Sequence, residues 1–204
     1  MDIEAFILIG GRSSRFGRDK AAVEFAEESL VERTAKIIRG AISASQITLV
    51  AANDGQFVFP GMPIIFDLHE GYGPVGGLHS ALAYARTEWI FVVACDLPLI
   101  SSELVATLAG MILDDIDACV PVQPDGRLQP LCAFYQVGRC LSIIDDFIKS
   151  QGSLSLHGFL DQVRTRTVAF DAMRHLPGSE DFFLNMNTVD DYKQATEIFI
   201  KIPR

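Results

Sequence analysis

The 204-residue chain has no C-x-x-C pair, no apolar run near the roughly 20 residues that cross a bilayer, and no excess of basic charge. Each absence excludes a class of protein. Cys95, Cys119, Cys132 and Cys140 lack zinc-site spacing, and a chain of this size needs no disulfide staples, so a reduced, cytoplasmic protein is expected. Met1-Asp2-Ile3-Glu4 puts carboxylates where a secretory leader carries cations, and the apolar run that follows ends at Gly10. Even Trp89 to Cys95, one of the longest apolar runs, is far too short to span a membrane. The four histidines show neither H-E-x-x-H nor H-x-H spacing, which leaves them as ordinary core or surface residues. Seventeen Lys and Arg against twenty-six Asp and Glu give a net charge of −9, which repels nucleic acid and anionic membrane unless the cations cluster. No repeat, low-complexity tract or linker divides the chain, so residues 1–204 are read as one domain.

What is present is a folding composition, 49% hydrophobic and 21% charged. Ala5 to Ile9 reads as a buried strand, followed by a loop from Gly10 to Lys20. A helix over Leu30 to Ala44 shows one apolar face through Leu30, Val31, Thr34, Ile37, Ile38 and Ala41. Strands are expected at Ile47 to Ala51 and Pro63 to Phe66, then a glycine-rich loop from Gly71 to Gly77 opening a helix from Leu78 to Ala85. Trp89 to Ala94 is continuously apolar, as a strand covered on both faces should be. A helix over Ser102 to Ile112, strands near Ala118 to Val122 and Leu131 to Gln136, and a helix near Cys140 to Lys149 follow. A strand near Arg164 to Phe170 and a last helix after Thr188, with Asp191 at capping-box spacing, complete the pattern. This alternation predicts an α/β three-layer sandwich with a mostly parallel sheet, whose ligands sit beyond the carboxyl ends of the strands.

The cations do cluster. Arg12 to Lys20 holds four cations and one carboxylate, a local charge of +3 in a chain of −9. Gly10 and Gly11 allow close backbone approach to a ligand, Ser13 and Ser14 add donors, and Arg15 and Lys20 can offset phosphate charge. The loop is neither a Walker A motif, which needs Gly-Lys-Ser/Thr where Phe16-Gly17-Arg18 stand, nor a dinucleotide G-x-G-x-x-G, which fails at Arg12. For a bare glycine pair with scattered arginines, a solvated turn is an equally good reading.

The full run from Leu8 to Lys20 resembles the signature L-x-G-G-x-S-x-R-M-G-x-D-K of nucleotidyltransferases related to molybdenum cofactor guanylyltransferase. The resemblance continues in order through Gly73-Pro74-Val75-Gly76-Gly77, Cys95-Asp96-Leu97-Pro98, Gln129-Pro130-Leu131 and Asn185-Met186-Asn187-Thr188, covering nearly the whole chain. Ile9, Phe16 and Val189 depart from the family's Ala, Met and Pro, and Val75 and Gly77 soften the second motif; none of these removes a charged group. The resemblance implies a Rossmann-like nucleotidyltransferase fold and transfer of GMP from GTP to the terminal phosphate of molybdenum-molybdopterin, with release of pyrophosphate. It implies Asp96 as the Mg2+ ligand, with Arg15 and Lys20 offsetting phosphate charge. Leu8, Ile9, Gly10, Gly11, Asn53 and Asp67 would line the nucleotide, and Ser13, Gly76, Asn185 and Asn187 the acceptor side. A molybdenum insertase or a molybdoenzyme-specific chaperone would receive the product.

Local alternatives stand beside these roles: a helix cap before Pro98 for Asp96, an Asn-Asp-Gly turn for Asn53, and a loop position ahead of the Thr188 cap for Asn187. A cytidylyltransferase of the same cofactor, a sugar-phosphate nucleotidyltransferase and a non-catalytic nucleotide-binding module remain open. Cytidylyl relatives more often read L-A-A-G at the first loop, where Gly10 stands here. Asp114, Asp115 and Asp117 read as a solvated helix exit, and Cys95 as a packing residue.

Overall fold

Apolar residues alternate between two faces along the central strands, and helices cover both faces. The computed structural model describes residues 2–9, 23–52, 59–150 and 154–202. The first strand, β1 (Ile3–Leu8), is buried along its whole length because it pairs in parallel on both sides. A short hairpin, β2 (Glu24–Phe25) and β3 (Glu28–Ser29), leads into α1 (Leu30–Ala41), then β4 (Ala44–Ala51) and β5 (Ile64–Phe66). Next come α2 (Gly73–Tyr84), β6 (Trp89–Ala94), α3 (Ser102–Ala109), β7 (Ala118–Pro121), β8 (Cys132–Gln136) and α4 (Val137–Lys149). A short helix α5 (Leu156–Leu160), β9 (Thr165–Val168) and α6 (Val189–Lys201) follow.

The main sheet is seven-stranded in the order β5-β4-β1-β6-β8-β7-β9, with β8 alone antiparallel to its neighbours. On one face Ala5 and Ile7 of β1 and Phe91 and Val93 of β6 meet Val31 and Ile38 of α1 and Leu104 and Leu108 of α3. On the other, Phe6, Ile90 and Val92 meet Leu78 and Leu82 of α2, Ile144 of α4 and Phe159 of α5. This is the expected three-layer α/β sandwich. The alternation follows from strand geometry, since successive side chains point to opposite faces.

Local chemistry sets the helix starts. Ser29 and Glu32 cap α1 reciprocally, and Thr188 and Asp191 do the same for α6, as their spacing predicts. Ser101, one residue before the predicted start, caps α3 through the Leu104 N–H at 3.2 Å. The helix predicted to Ala44 ends at Ala41, because Ile42 is extended and β4 begins at Ala44. The glycine-rich stretch predicted as a loop is wound into α2 from Gly73 onward, with Pro74 in the first turn, where its missing N–H costs nothing. The hairpin has no sequence signal, since its two turn residues, Ala26 and Glu27, sit at φ 51° and 69°, a conformation that normally selects Asn or Gly.

Asp117 is not a solvated helix exit. It is 3% exposed, and its carboxylate accepts from the backbone N–H of Arg164 at 2.9 Å, from Arg164 Nε and Nη2 at 3.1 and 2.8 Å, and from Arg139 Nη1 at 3.1 Å. These bonds hold its pKa down to about 2. His79 is a core residue, joining α2 to α4 through Asp145 at 2.9 Å.

Candidate active site at the carboxyl ends of the strands

Four strands deliver their outgoing chain to one end of the sheet. Leu8 pairs with Val50 of β4 and with Ala94 of β6. Just beyond, the Ile9 N–H donates to Val50 O at 2.9 Å, the Cys95 N–H to Leu8 O at 3.1 Å, and the Asp67 N–H to Ala51 O at 2.9 Å. The chain leaving β1 turns through α1 to β4 on one side, while the chain leaving β5 crosses through α2 to β6 on the other. The connections diverge between β1 and β6, and such a divergence opens a crevice at the carboxyl ends where α/β sheets bind ligands.

Asp96 stands at this crevice, two residues past β6 and partly exposed. Its carbonyl accepts from the Met186 N–H at 2.9 Å, which docks the Asn185 to Asn187 segment beside it across a long stretch of chain. Cys95 is 4% exposed and packs in the core, as expected.

Asp67 follows β5 and lies against the first turns of α2. A Cβ on Gly76 would stand 3.6 Å from Asp67 Oδ2 and only 3.1 Å from His69 O, and a Cβ on Gly77 would collide with the Leu8 side chain. Glycine at both positions therefore lets Leu8, Asp67 and α2 converge, which is the physical reason for glycines inside a helix that they otherwise weaken. Ser80 Oγ stitches the loop in place, accepting from the Leu68 N–H at 2.9 Å and donating to Gly76 O at 2.9 Å. Burial in this corner pushes the Asp67 pKa up to about 6.

Beside the first turn of α2 a cavity of about 380 Å³ opens, lined by Pro74, Arg127, Gln129, Pro130, His157 and Asn185 among others. The Tyr135 hydroxyl, buried, donates to Pro130 O at 2.7 Å and fixes that wall. Gln129 is 8% exposed. Asn187 is exposed, and its N–H donates to Asp191 Oδ2 at 2.8 Å, so it also serves the lead-in to α6.

The structure thus brings together Leu8, Ile9, Asp67, Gly76, Asp96 and Asn185 around one end of the sheet. Gly10, Gly11, Ser13, Arg15, Lys20 and Asn53 lie outside the described residues. Gln129 and His157 line the cavity without being among the site residues expected from the sequence. The Q-P-L motif could have pointed to Gln129, but the α5 segment carrying His157 has no comparable signal.

Comparison with known proteins bears on the family and the fold. The family model of the MobA-like NTP transferase domain matches residues 5–165. A probable molybdenum cofactor guanylyltransferase of Clostridium perfringens is 33% identical over 93% of both chains. Another from Peptoclostridium acidaminophilum is 32% identical over 95% of this chain and 88% of its own. Among solved structures, molybdopterin-guanine dinucleotide biosynthesis protein A from Archaeoglobus fulgidus superposes with a TM-score of 0.75 at 26% identity, covering 97% of this chain and 99% of its own. With most of β1 and all of α2 and the Asp96 turn inside the matched segment, the chain belongs to the family of the MobA-like NTP transferase domain.

Proposed function

We propose that the protein transfers GMP from GTP to the terminal phosphate of molybdenum-molybdopterin and releases pyrophosphate. The observation that carries this reading is the convergence of Leu8, Asp67 and Asp96 on the crevice between β1 and β6, with a separate cavity reaching Asn185. Two adjoining spaces suit a reaction that joins two phosphorylated substrates. An oxygen of the acceptor phosphate attacks the α-phosphorus of GTP, the bond from that phosphorus to the bridging oxygen breaks, and pyrophosphate leaves with the electron pair. The chain need supply no nucleophile, only positioning and charge.

Leu8, Ile9, Gly10, Gly11, Asn53 and Asp67 hold the nucleoside, and the carboxylate of Asp67 suits the N–H edge of guanine. Arg15 and Lys20 offset triphosphate charge, the lysine as a point charge and the arginine as a two-pronged donor. Among the described residues, no group of three or more His, Cys, Asp or Glu side chains is placed to hold a metal. A cation at Asp96 would therefore draw most of its ligands from phosphate and water, which is the habit of Mg2+, and the residues fit that ion. When bound, Mg2+ neutralises charge that develops on the phosphate oxygens. The cavity beside Asn185 takes the acceptor, with apolar walls at Pro74 and Pro130 for a flat ring and the amide of Gln129 for its polar edge; Ser13, Gly76 and Asn187 complete that side. The product passes to a molybdenum insertase or a molybdoenzyme-specific chaperone. We assign the reaction to the cytoplasm, where four buried cysteine thiols stay reduced.

The test is pyrophosphate release with molybdenum-loaded molybdopterin, GTP or CTP, and Mg2+. GTP should be the preferred donor, and Asp96→Asn should lower kcat by at least about 100-fold, as loss of a metal contributing several kcal/mol requires. Preference for CTP, or near-normal turnover by Asp96→Asn, would overturn the reading.

A further inference from the structure

A third apolar cluster lies apart from the two that cover the sheet. It gathers Phe25, Leu30, Leu99, Met186 and Ala195, all buried, with Tyr192, Ile198 and Phe199 packed against them. Phe25 stands where the chain returns from the basic loop, Leu99 follows the Asp96 turn, and Met186 separates Asn185 from Asn187. Ala195 and Phe199 belong to α6. One small core thus anchors the flanks of three site segments that are distant in sequence.

A cation joins this core to the Asp96 turn. Arg33 of α1, with its side chain 14% exposed, donates from Nε to Pro98 O at 2.8 Å. Its guanidinium carbon lies 4.5 Å from the Phe199 ring centroid and 5.6 Å from that of Phe25, and Nη1 meets Glu28 Oε1 at 3.4 Å. A planar guanidinium can bond a carbonyl and stack on rings at once, which an ammonium cannot. The Met186 N–H holds Asp96 O at 2.9 Å, so the turn is gripped at Asp96 and again at Pro98, both times from this cluster. The hairpin that delivers Phe25 does so through two non-glycine residues with positive φ, and such strain persists only where surrounding structure enforces it.

We infer that Arg33 is a positioning residue. Through the Pro98 carbonyl it sets the direction of the Asp96 carboxylate, and through Phe199 it couples that setting to the docking of α6. This rests on the reading of Asp96 as a metal ligand. It makes α6, which lies beyond the segment matched by the family model, part of the frame of the site.

Arg33→Lys tests the inference, because it keeps a cation near Glu28 but loses the Nε donor and the stacking plane. Mn2+ affinity in the presence of GTP, read from the electron paramagnetic resonance of free Mn2+, should fall about tenfold, the low end of what loss of a group supporting a metal ligand costs. GTP affinity without metal should be unchanged. Glu28→Gln removes the ion pair but leaves the Pro98 bond, and should bind Mn2+ as the unaltered protein does. Unchanged Mn2+ affinity in Arg33→Lys, or a parallel loss of metal-free GTP binding, overturns the inference, because a merely structural arginine would shift both or neither. If Arg33→Lys fails to fold, Phe199→Leu removes the ring beneath the guanidinium and should show a smaller loss in the same direction; unchanged Mn2+ affinity there is equally contrary. Asp96→Asn is measured alongside. If it binds Mn2+ normally, the metal reading of Asp96 falls and the inference with it; if it loses Mn2+ while Arg33→Lys does not, the positioning role alone falls.

Discussion

Asp67 should make the free protein less stable than it could be, because its burial opposes the charge it carries at neutral pH. Its pKa is pushed from 3.8 up to about 6, a change of about 2 pKa steps, worth at most about 3 kcal/mol. Asp67 is partly exposed, so solvent screening reduces this to about 1–2 kcal/mol. The folded chain keeps the proton up to about pH 6, whereas the unfolded chain releases it near pH 3.8. Between those values the folded state binds more protons, so stability falls as pH rises through the window, and the penalty is fully present above it. Asp67→Asn, which has the same shape without the charge, should therefore gain about 1–2 kcal/mol at pH 8 and almost nothing near pH 4. At about 2–4 °C per kcal/mol for a chain of this size, the gain is visible in thermal melts at the two pH values. The same variant should bind GTP more weakly, and GTP affinity of the unaltered protein should rise with pH through about 6, because the ionised carboxylate is the better partner for guanine N–H donors. No gain at pH 8, or an equal gain at pH 4, would refute the reasoning.

Two further substitutions probe how the site and the sheet are held. Gly77→Ala drives a methyl into the buried Leu8 side chain; overpacking costs typically about 1–3 kcal/mol, and alanine's better helix propensity returns up to about 1. A net loss of about 1–2 kcal/mol in urea denaturation, together with weaker GTP binding, is expected; unchanged GTP affinity would separate Leu8 from the nucleotide. Asp117→Asn should destabilise the protein by about 2–3 kcal/mol at pH 7, because it breaks a buried carboxylate away from two arginines. The Asp117 pKa is depressed to about 2, so its contribution is complete above about pH 4 and lost as pH falls toward 2. The difference between the two proteins should shrink over that range while GTP affinity at pH 7 stays the same.

Much of the fold is legible where the information is local. The Thr188 and Asp191 pair announces α6 because a capping box is made within four consecutive residues. The unbroken apolar run of β6 announces a strand covered on both faces. Asp96 is legible as the polar residue that ends that run. The hairpin at Glu24 to Ser29 is not, because Ala26 and Glu27 adopt their turn against their own preferences and are held there by the packing of Phe25 and by the ion pairs of Glu28 with Arg33 and Lys36. Gly73 to Gly77 reads as a loop because glycine is a poor helix former, yet the approach of Leu8 and Asp67 makes glycine the residue that fits. Asp117 reads as a surface carboxylate because Arg139 and Arg164, its partners, are distant in sequence.

The sequence by itself determined the class of fold, the −9 charge with its +3 island between Arg12 and Lys20, and the ordered motifs from Leu8 to Thr188. Periodicity, capping and charge are properties of neighbouring residues and survive reading in one dimension. The tertiary structure alone decided that β1 lies between β4 and β6, that β8 runs against its neighbours, and that Met186 and Arg33 grip the Asp96 turn. Those facts depend on which distant surfaces exclude water together. A single hydrogen bond from Met186 to Asp96 joins residues about 90 positions apart, and no local preference of either residue specifies it.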